Sequence, residues 1–293
     1  MRLLIQNYTS LLSTEPMYLA KSLELVGQDV FLWQDPNMST FDVFDSFTPD
    51  TYITHYRFLT NDAIKYLSQN KNIQCVLNIS GIDNAGLDEI ASVFKENNIN
   101  CPFVFTNAHD VLPKPKSDHL KVESILPGLD IFLPGEPYPD YELDLGVIGL
   151  EINKEIEDYV SDRDTYHLLK LTSAPERDKN FDFPVNVISM RSLYSRYNEI
   201  MFATDMNVVL SQLFYDAVAH ANKVTFKIHE EEQPLLDQFL ATTFMEEETD
   251  DLSAALKAQI KSRHTCVSRA ARLCKFLKDS DTKLKLEKLK GTL

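Results

Sequence analysis

The stretch DMNVVLSQLFYDAVAHANKVTF, from Asp205 to Phe226, decides the fold class. Its apolar residues recur at helical spacing over 210–222, and the β-branched run that follows predicts a strand over 224–228. A strand, IMFAT (200–204), precedes it. A helix that connects two strands in this way is the crossover connection of a parallel sheet, so this part of the chain is predicted to be α/β.

Polar side chains stand at the start of this predicted helix. Ser211 and Gln212 lie in its first turn, where unpaired backbone N–H groups and the positive end of the helix dipole favour a phosphate. Asp216 follows one turn later and could accept hydrogen bonds from ribose hydroxyls. The alternative is that Ser211 is an ordinary N-cap and Asp216 faces solvent.

Strand and helix patterns alternate along most of the chain. The predicted strands are 2–6, 29–33, 51–56, 73–79, 102–107, 145–152, 166–172, 185–189, 200–204 and 224–228. Predicted helices include 87–98, 153–160, 190–199, 234–244 and a long tail over 253–290. A turn-rich passage at 127–144 separates two such series. We therefore predict two Rossmann-like domains, 1–135 and 136–252, followed by a C-terminal helical segment, 253–293.

Composition narrows the class of protein. With 44% hydrophobic and 25% charged residues, the 293-residue chain can form one large or two ordinary soluble domains with buried cores. No run approaches the roughly 20 apolar residues of a membrane-spanning helix, and the N-terminus does not resemble a signal peptide, so we expect a cytoplasmic protein with no membrane partner. The four cysteines lack CxxC spacing, which disfavours a zinc site or a disulfide framework.

Charge is unevenly distributed. The net charge is −15, but the segment 253–293 contains 11 Lys and Arg against 3 Asp and Glu, a net charge of +8. The preceding residues carry −23. A basic tail on an acidic body could face a polyanion, although a run of charge is more commonly a solvated helix face.

Tandem Rossmann-like domains are typical of nucleotide-sugar glycosyltransferases of the GT-B type, of periplasmic binding proteins and of some dehydrogenases. The absence of a signal peptide disfavours the second class. The segment after the first strand reads NYTSLLS (7–13) rather than G-x-G-x-x-G, which disfavours the third.

Three motifs in the second half resemble GT-B glycosyltransferases of the spore-maturation type. LDLGVIGLE (143–151) is similar to their opening strand and glycine turn, which would place Gly149 at the donor. FYDAVAHA (214–221) is similar to a pattern whose acidic residue holds the nucleotide ribose, here Asp216, with Ala221 where the family has glycine. HTCVSRA (264–270) matches a third motif. The resemblance implies a GT-B architecture in which a C-terminal helix crosses back to the first domain.

The resemblance implies further donor contacts. Lys170 could neutralise the diphosphate, with Thr172 beside it, although a strand lysine commonly faces solvent. Ser189 and Met190 could line the base pocket through their backbone, and Arg191 is another candidate cation. The donor would be a UDP-linked sugar. No metal or other cofactor is implied, since DRD (162–164) resembles a metal-binding D-x-D only superficially.

Transfer by inversion needs a base that takes the proton of the acceptor hydroxyl. Asp83, His109 and Asp110 follow predicted strands of the first domain and are candidates, although each could simply cap a helix. His55 and Arg57, after the third predicted strand, are weaker candidates. Retaining enzymes of this architecture need no such base, so the stereochemistry remains open.

The acceptor is the least determined feature. A compact chain with only 8 glycines resembles phage enzymes that transfer glucose or arabinose to 5-hydroxymethylcytosine in double-stranded DNA. If the protein is phage-encoded, it would act in the host cytoplasm. The tail lysines, Lys257 through Lys290, could contact the phosphate backbone. The alternatives are a saccharide, protein or small-molecule acceptor, or a non-catalytic module that binds sugar nucleotides.

Overall fold

The computed structural model describes residues 1–6, 15–106, 120–126, 129, 143–149, 154–161, 163, 166–170, 194–203, 212–228, 230–244 and 251–291. These residues form two compact units. The first contains the described residues up to 126 together with 266–291, and the second contains the described residues from 129 to 265. Among the described helices, none has both the length and the apolarity that crossing a bilayer requires.

The first unit is built on a sheet of six described strands, all parallel. They are β1 (Arg2–Gln6), β2 (Asp29–Trp33), β3 (Thr51–His55), β4 (Gln74–Asn78), β5 (Val104–Thr106) and β6 (Val122–Ser124), in the order β2-β1-β3-β4-β5-β6. The order changes direction between β1 and β3. In doubly wound sheets a crevice opens at this point, beyond the carboxyl ends of the strands.

Helices follow the strands of this unit: α1 (Glu15–Leu25), α2 (Thr40–Phe47), α3 (Asn61–Gln69) and α4 (Asn84–Glu96). Side chains at alternate positions along each strand, such as Leu4 in β1 and Tyr52 in β3, share one buried cluster with Phe44 of α2 and Leu87 of α4. These four side chains are fully buried. The period-2 pattern of the strands therefore buries one face of the sheet against α2, α3 and α4.

The second unit has four described strands, also parallel. They are β7 (Leu143–Gly149), β8 (Tyr166–Lys170), β9 (Tyr197–Phe202) and β10 (Val224–Phe226), in the order β10-β9-β7-β8. The described helices are α5 (Lys154–Val160), α6 (Gln212–His220), α7 (Gln233–Thr243) and α8 (Leu252–Arg263). Gly146 allows β7 and β9 to approach closely, because a Cβ there would lie 2.8 Å from Cδ1 of Ile200.

The last two helices, α9 (Cys266–Phe276) and α10 (Ser280–Lys290), belong to the first unit. α9 and α10 pack against each other and against α1. Leu286 of α10 is fully buried, and Nε2 of Gln28 donates a 2.8 Å hydrogen bond to Thr282. The fold class is therefore confirmed: two Rossmann-like α/β domains with a C-terminal helix that returns to the first.

Several predicted elements differ in the structure. The predicted helix over 190–199 is wrong at its end, because β9 begins at Tyr197. Asn198 and Glu199 interrupt the apolar pattern that would have indicated this strand. Glu199 is nevertheless buried at the sheet edge, where it forms ion pairs. The predicted tail helix is three helices, of which α8 lies in the second unit. The short elements α2 and β6 were not predicted.

Candidate functional site

The strand ends at the carboxyl edge of the first sheet share one property. The last residues of its described strands are uncharged: Gln6, Trp33, His55, Asn78, Thr106 and Ser124. Five of the six are polar residues whose side chains can form hydrogen bonds. The sixth, Trp33, donates its indole N–H to the carbonyl of Asp35. Because ligands of parallel α/β sheets bind beyond this edge, these strand ends offer a ligand hydrogen bonds without charge.

His55 is held in one tautomer. Its Nε2 lies 3.3 Å from the carbonyl oxygen of Ser80, and its Nδ1 accepts a hydrogen bond from the backbone N–H of Arg57. Burial lowers the pKa of His55 to about 4, with a smaller contribution from the nearby Arg57 and against the opposing effect of the Ser80 carbonyl. The ring is therefore neutral with both nitrogens engaged, which suits a structural link between β3 and the turn after β4.

Asp83, a predicted catalytic base, lies after β4 at this same edge. Its carboxylate is exposed, and Oδ1 accepts a 2.8 Å hydrogen bond from the backbone N–H of Gly86, so Asp83 is the N-cap of α4. Gly81, with φ of +83°, provides the turn that leads to it. The other two predicted bases, His109 and Asp110, lie outside the described residues.

The second unit brings two predicted donor residues together. Gly149 and Lys170 are Cα partners at the carboxyl ends of β7 and β8. Gln212 is the first residue of α6, the next described helix after β9. The remaining predicted donor contacts lie outside the described residues: Thr172, Ser189, Met190, Arg191 and Ser211.

Asp216 lies deep inside the second unit. Its residue is 1% exposed, and every residue from 214 to 219 of α6 is buried, so the solvent-facing alternative is wrong. A carboxylate is costly to bury unless hydrogen bonds or charges compensate it. The Asp216 carboxylate therefore serves either the internal packing of this unit or the binding of a ligand. The end of α6 is capped by Lys257, whose Nζ donates a 3.1 Å hydrogen bond to the carbonyl of Ala221.

An ion cluster that was not predicted lies at the opposite, amino-terminal edge of this sheet. Arg163 lies 3.4 Å from Glu199 and 3.7 Å from Asp144, measured from guanidinium nitrogen to carboxylate oxygen. Lys223 and Thr225 also contact Glu199, at 3.6 and 2.6 Å. The middle residue of the DRD sequence thus forms ion pairs far from the ligand edge. In the described parts of the chain, no group of three or more His, Cys, Asp or Glu residues could hold a metal ion.

The HTCVSRA motif spans the return of the chain to the first unit. His264 ends α8, and Arg269 is buried in α9, where its Nη1 donates a 3.1 Å hydrogen bond to the carbonyl of Ile125. The guanidinium lies 5.5 Å from the ring centroid of Phe105, and burial lowers its pKa to about 9. Arg269 therefore fixes α9 to the carboxyl ends of β5 and β6.

Comparison with known proteins gives similarity in structure only. No protein-family model matches the sequence, and no curated protein is significantly similar to it. A UDP-GlcNAc 2-epimerase from Neisseria meningitidis, solved with UDP-GlcNAc, is similar with a TM-score of 0.50 and 11% identity over 96% of this chain and 100% of that chain. At this identity the likeness shows a shared fold and nothing more.

Two glycosyltransferases are also similar. SnogD from Streptomyces nogalater has a TM-score of 0.48 and 12% identity, covering 94% of this chain and 98% of that one. The spinosyn rhamnosyltransferase SpnG, complexed with thymidine diphosphate, has a TM-score of 0.42 and 10% identity, covering 99% and 95%. TM-scores below 0.5 add nothing to the fold assignment. The narrower resemblance to spore-maturation and phage enzymes stays a prediction.

Proposed function

We propose that the protein is a nucleotide-sugar-dependent glycosyltransferase whose second unit binds a UDP-linked donor. The observation that carries the proposal is the buried carboxylate of Asp216 on α6, the next described helix after β9 of a parallel sheet. A carboxylate at this place in a nucleotide-binding fold can accept hydrogen bonds from both ribose hydroxyls. The fold shared with a protein solved with UDP-GlcNAc supports a uridine nucleotide as the donor.

The other donor contacts follow from the same edge. The diphosphate would lie at the start of α6, where the backbone N–H groups near Gln212 and the helix dipole attract negative charge. Gly149 and Lys170 end the adjacent strands β7 and β8, which suits a backbone approach and a cation near the phosphates. These interactions would stabilise the diphosphate as it leaves, which is the main electrostatic requirement of the reaction.

In the transfer step, an acceptor hydroxyl oxygen forms a bond to C1 of the sugar while the bond from C1 to the diphosphate oxygen breaks. The bonding electrons leave with UDP. In an inverting reaction the hydroxyl proton passes to a base, for which Asp83, His109 and Asp110 remain the candidates. In a retaining reaction the leaving phosphate takes the proton, and none of these residues is needed as a base.

For the acceptor we propose 5-hydroxymethylcytosine in phage double-stranded DNA, with glucose or arabinose as the sugar. The supporting observation is the basic surface of the last two helices. The exposed cations there are Arg272 and Lys275 of α9 and Lys285 and Lys288 of α10. Such cations can bind a phosphate backbone even on an acidic protein, while a flipped nucleotide is recognised elsewhere.

The deciding experiment is a transfer assay with labelled UDP-glucose, UDP-arabinose and UDP-GlcNAc. Each donor is incubated with duplex DNA containing 5-hydroxymethylcytosine, with the same duplex containing cytosine, and with small hydroxylated acceptors. We expect UDP release and label only in the hydroxymethylated duplex. Transfer to a small acceptor alone would refute the DNA proposal but retain the glycosyltransferase.

Three other outcomes would contradict the proposal. UDP binding without turnover of any donor would indicate a non-catalytic sugar-nucleotide-binding module. Conversion of UDP-GlcNAc to its C2 epimer without transfer would indicate an epimerase, the activity named for the structurally similar Neisseria protein. A failure of every uridine nucleotide to bind would remove the donor assignment itself.

A further inference from the structure

Gln6 is the last residue of β1, and its side chain is buried at 3% exposure. The amide oxygen Oε1 accepts hydrogen bonds from two hydroxyls of the neighbouring strand β3. One comes from Oγ1 of Thr54 at 2.6 Å, and the other from the phenol of Tyr52. Leu4 is the Cα partner of Tyr52, and Gln6 and Thr54 each lie two residues further along their strands. The side chains of Gln6, Tyr52 and Thr54 therefore lie on the same face of the sheet. The two hydroxyls thus hold the side-chain amide of Gln6 in place against β3.

The amide nitrogen of Gln6 differs from the amide oxygen in its hydrogen bonding. Nε2 is buried, and it has no hydrogen-bond partner in the part of the chain that the structure describes. A buried donor without a partner costs free energy, so native proteins keep few of them, and each calls for an explanation. An oxygen atom supplied by a ligand would satisfy this donor.

The position of Gln6 in the sheet favours a ligand. The strand order changes direction between β1 and β3, and ligands of doubly wound sheets bind at this switch point. Gln6 and His55 end these two strands. His55 is neutral, and the remaining described strands of this sheet also end on uncharged side chains. The strand ends themselves therefore offer hydrogen bonds to a neutral group but no cation to a phosphate.

We propose that Gln6 Nε2 donates a hydrogen bond to an oxygen of a neutral, hydroxyl-bearing group bound at the β1/β3 switch point. Naming this group the glycosyl acceptor rests on the proposed function. Gln6 is the contact residue, whereas Tyr52 and Thr54 are positioning residues that act through its amide. In a DNA acceptor, the bound group would be the flipped nucleoside, and the phosphates would lie elsewhere.

The test measures binding to the full-length protein by calorimetry. The neutral probes are 5-(hydroxymethyl)-2′-deoxycytidine and methyl β-D-glucoside, and the charged probe is inorganic phosphate. Gln6→Met removes the amide at similar length, and Gln74→Met, at the amino-terminal end of β4, is the matched control. We expect at least one neutral probe to bind, about tenfold or more weakly to Gln6→Met, and unchanged to Gln74→Met.

Tyr52→Phe provides a second variant if Gln6→Met does not fold. It removes the hydroxyl that orients the amide but keeps the ring that packs edge-on against Phe44 at 4.9 Å. We expect weaker probe binding with cooperative melting preserved. Equal probe affinity in the folded variants, no binding of either neutral probe to the wild type, or displacement of the neutral probe by phosphate would each overturn the proposal.

The proposed function is tested separately by titrating UDP into the wild-type protein. A failure of UDP to bind would refute the donor assignment without changing the neutral-probe result. Conversely, normal UDP binding with no effect of Gln6→Met on the neutral probes would refute only the switch-point site.

Discussion

Oδ1 of Asp83 accepts a 2.8 Å hydrogen bond from the backbone N–H of Gly86, so this candidate base is also the N-cap of α4. The two roles need different properties of the side chain. A cap needs only an oxygen that accepts from the helix N-terminus, whereas a base needs a carboxylate that can take a proton. Asparagine retains the first property and lacks the second, so one substitution separates them.

We predict that Asp83→Asn lowers the rate of sugar transfer at least about a hundredfold if Asp83 is the base, with the melting temperature nearly unchanged. Asp83→Ala should in addition lower the free energy of unfolding by about 1 kcal/mol, because the cap is lost. Steady-state kinetics and thermal unfolding of both variants provide the measurement. Full activity in Asp83→Asn would leave Asp83 as a cap alone.

Asp216 is best tested by an isosteric change, because its burial means that alanine would also leave a cavity. We predict that Asp216→Asn weakens UDP binding by about 1.5–3 kcal/mol, the usual loss for a charge-assisted hydrogen bond. Asp158→Asn, at an exposed position of α5 in the same unit, is the control. Unchanged UDP affinity in a folded Asp216→Asn protein, measured by calorimetry, would contradict the donor assignment.

His55 should make stability depend on pH in the acidic range. Burial lowers the pKa of His55 from 6.5 to about 4, so between these values the unfolded chain binds a proton that the native protein does not. The contribution of His55 to the free energy of unfolding is therefore complete above pH 6.5 and decreases as the pH falls toward 4. The decline is below about 1.4 kcal/mol per pH unit, since the ring is partly exposed.

The matching variant is His55→Gln, which lacks the titrating ring. Urea unfolding of the wild type and the variant at several values between pH 4 and 7 gives the comparison. We expect a shallower decline for the variant, although carboxylates contribute equally to both proteins. Parallel curves for the two proteins would show that the ring is accessible and titrates normally.

Much of the fold could be predicted because the strands have strong local signals. The run IQCVLNI contains β4, and the apolar spacing after Leu87 indicates α4. The helix α2 is only eight residues long, so its helical spacing of phenylalanines covers too few turns to identify it, and its N-cap Ser39 is the other local signal. In β9 the pattern fails at Glu199, whose burial depends on cations that lie far away in sequence.

The candidate site was less predictable, because its features depend on tertiary contacts. The cap function of Asp83 follows from its place before a helix and was an expected alternative. The burial of Asp216 had a local signal, since apolar residues flank it on both sides in FYDAVA. Gln6 had none: a single glutamine at a strand end acquires its meaning only when β3 brings Tyr52 and Thr54 against it.

The last prediction concerns DNA binding by α10. This helix is anchored by the fully buried Leu286, and its lysines differ in exposure: Lys285 and Lys288 are exposed, whereas Lys283 and Lys290 are half-buried. If exposed lysines contact phosphates, each contact releases counterions from the DNA. The double variant Lys285→Gln with Lys288→Gln should therefore reduce the slope of log affinity against log salt by about 2, roughly one unit per lysine.

The double variant Lys285→Arg with Lys288→Arg is the control, because it keeps both charges and should keep the slope. Affinity for a duplex containing 5-hydroxymethylcytosine is measured at several salt concentrations, alongside thermal unfolding. Preference for the hydroxymethylated duplex over the unmodified one should survive both changes, since backbone contacts carry no base information. The first 252 residues carry a net charge of −23, which opposes the binding of DNA. Negligible DNA affinity at about 50 mM salt, together with sugar transfer to a small hydroxylated acceptor, would exclude DNA and leave the saccharide alternative.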